Sequence, residues 1–431
     1  MNVRIEKLVY GGEGLGHYEG STVFVPYVLP GEVVAVRPTE RKKKFVRGKP
    51  LHIVTPAPER VSAPCPHFAA CGGCHYQHIP YEAQLKYKAE ILRETLSRIG
   101  HVQWDGEIRA HPSPALGYRN RAQWKVRSAG DSSTPGARSA VGYSRAGSSA
   151  LLPVQECPIL APALAETLRA LTSLGAAGRL PATLKEVEAF CDAGGQRLLV
   201  NASCSEFGAP PRKLAESLRA ALPGVESLLL HEAQRDRFEL DGPGYISYAA
   251  AGGRFRVGHL SFFQVNRFLV DELVRAVADG PSGGLALELF AGVGLFTLPL
   301  ARQFGRVVAV ESNEAALRDL QANLDSAGVT AEALALDVEK YLASCRESPD
   351  LVVLDPPRAG AGHAAIARLI ALGPPRITYL SCDPATLARD LAALTGAPLF
   401  NTAPYAITEM RLFDIFPQTY HIESLVRLEK R

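Results

Sequence analysis

The sequence predicts a multidomain chain ending in a doubly wound, Rossmann-like α/β domain, and three observations carry that prediction. The chain has 431 residues, too many for one ordinary domain. From about residue 260 onward, short apolar runs at 286–290, 307–310, 333–336, 351–354 and 377–380 alternate with stretches of helical length. That alternation argues for a mostly parallel sheet with helices on both faces. Polar residues then fall at or near the strand ends: Glu288, Glu311, Asp337, Asp355 and Cys382. Sheets of this kind bind ligands beyond the carboxyl ends of their strands.

Residues 1–57 read as a small five-stranded barrel of the oligonucleotide-binding type. Strands at 22–26, 32–36 and 51–55 are punctuated by Gly11-Gly12, Gly14, Gly16, Gly20 and Pro30-Gly31. Between Arg37 and Lys49 stand seven Lys or Arg, at 37, 41, 42, 43, 44, 47 and 49, against one acid, Glu40. The net charge is only +3, so this local patch, set on one connection, is what points to a polyanion. The bland alternative is a solvated loop. A second basic stretch holds Arg119, Arg121, Lys125 and Arg127.

Residues 58–259 read as an α+β domain. A helix is expected over 81–99, with Leu85, Ala89, Leu92, Leu96 and Ile99 at spacings of three and four and Gly100 ending it. A hairpin of 118–127 with 140–145 surrounds a loop at 130–136. Helices near 160–174 and 211–221 separate strands such as 197–200 and 227–230. Residues 260–431 form the last domain. Hydrophobic residues make up 47% of the chain, ample for buried cores. No apolar run approaches the ~20 residues of a membrane span. The first residues contain no secretory apolar core, so cytoplasmic residence is expected.

The turn after the first strand of the last domain contains Gly292 and Gly294, which let the backbone approach a ligand. A dinucleotide fingerprint would need a third glycine where Thr297 stands, and no phosphate loop is present. Glu311, ending the next strand, can accept both hydroxyls of a ribose. Asp337 can accept from an adenine amino group. A nucleoside ligand with no phosphate-binding features favours S-adenosylmethionine over a plain tight turn.

Cys382 stands at a strand end, either as a nucleophile or as a buried core thiol. Carbon 5 of uracil is too poor a nucleophile to take a methyl group unaided. A thiolate adding to carbon 6 makes carbon 5 reactive, and a base must later remove the carbon 5 proton. His421 and Glu423 are the candidate bases; Glu423 directly precedes an apolar strand, 424–428. Asp355 is a third polar group, in a turn stiffened by Pro356 and Pro357.

Of eight cysteines, Cys65, Cys71, Cys74 and the distant Cys157, followed by Pro158, form a four-ligand set. Three close thiols plus one remote thiol suggest an iron–sulfur cluster, with zinc as the alternative. Cys191, Cys204 and Cys345 read as small core residues.

Taken together, these motifs resemble the RNA uracil-5-methyltransferase family, in particular its 23S ribosomal RNA branch, over essentially the whole chain. The barrel resembles a TRAM domain. By that resemblance Cys65, Cys71, Cys74 and Cys157 would hold a [4Fe–4S] cluster. Phe263-Gln-Val-Asn266 implicates Gln264 at the cofactor site, together with Phe290, Gly292, Glu311, Asp337 and Asp355. Ser381-Cys-Asp-Pro384 matches the nucleophile motif, Glu423 the base, and Tyr118-Arg-Asn-Arg121 a substrate-binding motif. Leu295 departs from the family, which often has a polar residue there. The implied activity is S-adenosylmethionine-dependent methylation of a uridine in 23S RNA, the base being flipped out of its stack. RNA is the expected partner, with no membrane and no DNA, and a monomer is expected. The rivals are a transfer RNA enzyme of the same chemistry, a cytosine-5 methyltransferase, and a non-catalytic RNA-binding or assembly factor.

Overall fold

The fold is described from a computed structural model that covers residues 1–129, 138–207, 210–280, 282–396 and 404–431. The loop expected at 130–136 lies outside the described residues.

Five N-terminal strands, β1 (Asn2–Val9), β2 (Glu13–Tyr18), β3 (Ser21–Pro26), β4 (Val33–Arg41) and β5 (Phe45–Thr55), close into a barrel in the order β1-β2-β3-β5-β4. Alternate residues such as Val3, Ile5, Val23, Val25, Val34 and Val36 fill it. The basic run departs from expectation. Rather than one loop, it is most of the β4–β5 hairpin, because pairing continues to Arg41↔Val46 and leaves only residues 42–44 as the turn. All seven of its cations are exposed.

After the cysteine-bearing segment come α1 (Tyr81–Gly100) and β6 (Ile108–His111). The buried stripe of α1 is Gln84, Lys88, Ile91, Leu92, Leu96 and Gly100, whereas Ile99 is exposed. The expected stripe is thus rotated by about one position, and two polar residues lie within the buried one. Gly100 does not cap the helix; His101 does, with a left-handed φ of 53°. Gly100 is needed for packing, since a Cβ there would stand 2.3 Å from the Ala388 carbonyl oxygen.

The central sheet is built from β7 (Arg121–Ser128), β8 (Ser139–Ser144), β9 (Leu151–Pro153), β10 (Leu184–Cys191), β11 (Leu198–Cys204), β12 (Val225–Glu232) and β13 (Arg237–Asp241), in the order β13-β12-β11-β10-β7-β8-β9. Helices α2 (Pro162–Ala176) and α3 (Pro211–Ala221) cover it. A hairpin, β14 (Tyr245–Ala250) and β15 (Gly253–Gly258), and α4 (Val270–Ala278) lead into the last sheet.

That sheet takes β16 (Gly283–Leu289), β17 (Phe304–Glu311), β18 (Glu332–Ala335), β19 (Leu351–Leu354), β20 (Arg376–Ser381), β21 (Tyr405–Phe413) and β22 (Glu423–Lys430) in the order β18-β17-β16-β19-β20-β22-β21-β6. Strands β16 to β20 are mutually parallel, and β22 returns antiparallel. The edge strand β6 comes from the 58–259 segment, so that segment completes the C-terminal sheet. Helices α5 (Thr297–Leu300), α6 (Glu314–Ala327), α7 (Val338–Ser344), α8 (His363–Leu372) and α9 (Pro384–Thr395) intervene. Each strand feeds two cores by alternation. Leu287, Leu289, Val308, Val310, Val352, Leu354, Ile377 and Tyr379 face α1, α8 and α9. Ala286, Val307, Ala309, Leu351, Val353, Leu380 and Leu425 face α4, α6 and β15. The first core also takes in Leu8 and Leu29, so barrel and sheet share one apolar interior.

Candidate active site

Register brings the two expected reactive residues together. Along β20 and β22 the last pair is Ser381↔Ser424. One step further, Cys382 and Glu423 stand opposite each other, a cross-strand spacing of ~5 Å. Both continue the face lined by Leu380 and Leu425. The same count places Asp355 beyond Val353, Glu311 beyond Ala309 and Glu288 beyond Ala286, all on that face.

Charge crowding follows. Burial, then Glu423 and Asp355, push the Cys382 thiol up to about 12, while the Arg358 guanidinium pulls the other way. Asp355 and Glu423 are themselves raised, by burial and, for Glu423, by the facing Asp355 charge. Two carboxyls so placed share a proton rather than both ionising. Glu288 is pushed up to about 8 by burial and by Asp355 and Glu311, and its Oε2 accepts the Thr297 hydroxyl at 2.5 Å. His421, the other candidate base, is held down to about 3, first by burial and then by Arg358, His75, Lys88 and Arg119. It is a poor proton acceptor beside Glu423.

At the ligand loop Phe290 has a left-handed φ of 65°, a conformation that costs a non-glycine residue of order 1 kcal/mol. Gly292 (φ 55°) would project a Cβ into open space, so its glycine answers to backbone conformation. Gly294 answers to both conformation and packing, with a φ of 86° and a Cβ that would meet the Leu320 side chain at 2.3 Å. Leu295 is buried in the adjoining core, which accounts for an apolar residue at that position. Glu311 braces the loop: its Oε2 accepts the Gly292 N–H at 2.8 Å and its Oε1 the Asn313 N–H at 2.7 Å. Asp337 is exposed and caps α7, its Oδ1 accepting the N–H groups of Glu339 and Lys340 at 3.0 and 3.2 Å. Sequence reasoning gave Glu311 and Asp337 a ligand role and missed these structural ones. Gln264 is buried; its carbonyl accepts from the Asn120 side chain at 3.1 Å.

A second set of residues escaped the sequence reading. The segment 414–421, which delivers His421 and Glu423, is pinned from several sides. Lys88 Nζ donates to Asp414 Oδ1 at 2.6 Å and to the Phe416 carbonyl at 3.0 Å, with both charged side chains fully buried. Gln84 and Gln418 exchange two hydrogen bonds, of 3.0 and 2.9 Å. The N–H groups of His75 and Tyr76 both donate to the Gln418 carbonyl, and the Tyr118 hydroxyl donates to that of Pro417 at 3.0 Å. Asn266 donates to the carbonyls of Asp414 and Ile415. The available signal was Gln84 and Lys88, at four-residue spacing in line with Leu92 and Leu96. In the basic stretch, Arg121 stacks on Phe190 at 4.5 Å and donates to the Ser261 carbonyl, so it joins segments rather than facing solvent.

Cys74 and Cys157 pack in one small apolar cluster with Phe68, Tyr118 and Ile159, Cys65 and Cys71 are near enough for their charges to act on Cys74, and none of the four forms a disulfide. Burial and the neighbouring thiols raise Cys74 to about 12 and Cys157 to about 11. The Gly73 N–H donates to Cys71 Sγ at 3.4 Å. Among the described residues, no three His, Cys, Asp or Glu side chains stand close enough to hold one metal ion. Cys191 and Cys204 are core residues as expected, but Cys345 is only half-buried, at the end of α7. No helix among the described residues is long and apolar enough to cross a membrane.

The charge arrangement sets a pH signature. Negative neighbours disfavour a thiolate, so removing one lowers the thiol pKa. Alkylation of Cys382 should therefore still be accelerating at about pH 10, and Glu423→Gln should speed it several-fold at about pH 9. A plateau near neutral pH, or no effect of the substitution, contradicts this electrostatic account.

Comparison with known proteins agrees with the geometry. Residues 253–431 match the tRNA (Uracil-5-)-methyltransferase family and residues 1–51 the TRAM domain. A 23S rRNA (uracil(1939)-C(5))-methyltransferase RlmD of Methylococcus capsulatus is 33% identical over 99% of this chain and 96% of its own. Its counterpart from Halomonas elongata is 33% identical over 99% of this chain and 88% of its own. The Pyrococcus abyssi tRNA (uracil-54, C5)-methyltransferase, solved with S-adenosyl-L-homocysteine, superposes with a TM-score of 0.75 at 25% identity, covering 99% of this chain and 100% of that one. The chain belongs to the RNA uracil-5-methyltransferase family.

Proposed function

We propose that this chain methylates carbon 5 of a uridine in 23S ribosomal RNA, with Cys382 as nucleophile and Glu423 as base. The observation that carries the reading is the placement of Cys382 opposite Glu423, with Asp355 beside them. S-adenosylmethionine, when bound, supplies an electrophilic methyl group. Phe290, Gly292, Glu311, Asp337 and Gln264 would bind it, and Asp355 borders it. Glu311 and the one ionised carboxyl of the Asp355–Glu423 pair put negative charge on this face, which favours a cationic sulfonium donor over its neutral product.

In the reaction, Cys382 gives its proton to the ionised carboxylate of the neighbouring pair or to solvent, the thiolate adds to uracil carbon 6, and the electron pair of the 5,6 double bond moves onto carbon 5 and the carbonyl. Carbon 5 would then take the methyl group as the donor's sulfur–methyl bond breaks, leaving a neutral thioether. Glu423 takes the carbon 5 proton, the double bond re-forms, and Cys382 leaves. Sharing one proton with Asp355 leaves one of the two carboxyls ionised for that step. The exposed β4–β5 hairpin would hold RNA phosphates. The ribosomal relatives' names and 33% identity favour 23S RNA; the archaeal structural relative favours transfer RNA as the second reading.

The four cysteines lie within range of one another's charge without converging as ligands of a single ion, which suits a cluster that takes one thiolate per iron. We assign Cys65, Cys71, Cys74 and Cys157 to a [4Fe–4S] cluster that ties residues 65–74 to the central domain. Methyl transfer needs no electron, so its role here is structural.

Cys382→Ala should abolish 5-methyluridine formation. Glu423→Gln should cut turnover by roughly 10²–10⁴-fold while a covalent RNA–protein adduct accumulates. Retained activity in the first variant refutes the nucleophile, and absence of an adduct in the second refutes the base. Mapping 5-methyluridine in ribosomal and transfer RNA from a deletion strain decides the substrate. Anaerobically purified protein should carry iron that Cys74→Ser loses; stoichiometric zinc instead would overturn the cluster assignment.

A further inference from the structure

The barrel reaches the nucleophile. Tyr10 lies in the turn between β1 and β2, and its hydroxyl donates to Asp383 Oδ2 at 3.2 Å. Asp383 follows Cys382 directly and is the N-cap of α9, its Oδ1 accepting the N–H groups of Ala385 and Thr386 at 3.0 and 2.9 Å. One carboxylate oxygen therefore anchors the turn to the helix and the other anchors it to the barrel. Within the turn, Ser381 Oγ donates to the Asp383 carbonyl and accepts the Asp383 N–H. Ser424 Oγ donates to the Ser381 carbonyl at 3.3 Å, which links the turn to the strand carrying Glu423.

Packing reinforces the bond. The Tyr10 ring meets Tyr420 edge-on at 5.5 Å, and Tyr420 in turn packs on His421 at 4.4 Å. At Gly12, a Cβ would stand 3.1 Å from both His75 and Tyr420. The barrel turn is thus wedged between the nucleophile turn and the segment that delivers the base.

We propose that Tyr10 is a positioning residue for Cys382, holding the nucleophile turn through Asp383 and thereby making the chemical step depend on the seated barrel. This rests on the reading of Cys382 as nucleophile. A barrel that only gripped RNA would govern affinity; this contact acts on the rate after binding.

Tyr10→Phe keeps the ring and removes the hydroxyl. Single-turnover methylation at saturating RNA should slow roughly tenfold, as expected for loss of one hydrogen bond to a charged acceptor, with RNA affinity unchanged. Asp383→Ser keeps a helix cap but is too short to reach Tyr10. It should slow the step alike, and the double variant should lose nothing further. A wild-type rate for Tyr10→Phe, a defect confined to RNA affinity, or additive losses in the double variant would overturn the proposal. Cys382→Ala, run in parallel, separates the two levels: if it stays active, the reading of the nucleophile fails and the Tyr10 contact loses its reactive target. If it is dead while Tyr10→Phe is normal, only the positioning role fails.

Discussion

Everything at the active site depends on the two-residue alternation of the C-terminal sheet. Because neighbouring side chains point to opposite faces, a single apolar layer continues at the strand ends into Glu288, Glu311, Asp355, Cys382 and Glu423. A shift of one residue in any of these strands would turn its functional group away from the others. Parallel pairing of β16 to β20 gives the ends a common level, and the antiparallel β22 brings in Glu423 from its beginning instead of its end.

That convergence has an electrostatic cost, and the chemistry draws on it. Carboxyls forced together under burial hold protons more tightly, as at Glu288, Asp355 and Glu423. The same field makes the Cys382 thiol reluctant to ionise in the free protein, with Arg358 the counterweight. Arrival of a cationic donor would relieve both effects at once. Around it, the buried Lys88–Asp414 pair and the Gln84–Gln418 exchange fix the segment leading to Glu423. Losing Lys88 would leave a buried unpaired carboxylate, a cost of about 3–5 kcal/mol.

The strand ends were legible in the sequence because apolar runs stopped on acids or a thiol, and each named segment became a strand. That Cys382 follows one apolar strand and Glu423 opens another was legible for the same reason, although the pairing that opposes them was not, since register depends on contacts far apart in the chain. What escaped was the tertiary use of polar groups. Asp337 reads as a ligand but also caps a helix; Gln84 and Lys88 look like surface residues of an amphipathic helix but are buried because partners from residues 414–418 meet them. Tyr10, in a glycine-rich turn, offered no hint of Asp383, since the bond joins residues 373 positions apart. For the four cysteines, spacing alone left the choice between iron–sulfur and zinc open.

The most direct test of the central claim is to trap the addition step. A fluorine at carbon 5 of uracil cannot be removed as a proton can, so an RNA carrying 5-fluorouridine at the target should be methylated and then stay bonded to the nucleophile. Digestion and mass spectrometry of that complex should locate the nucleotide on Cys382. A stable complex that is absent, or one attached to another residue, would contradict the account.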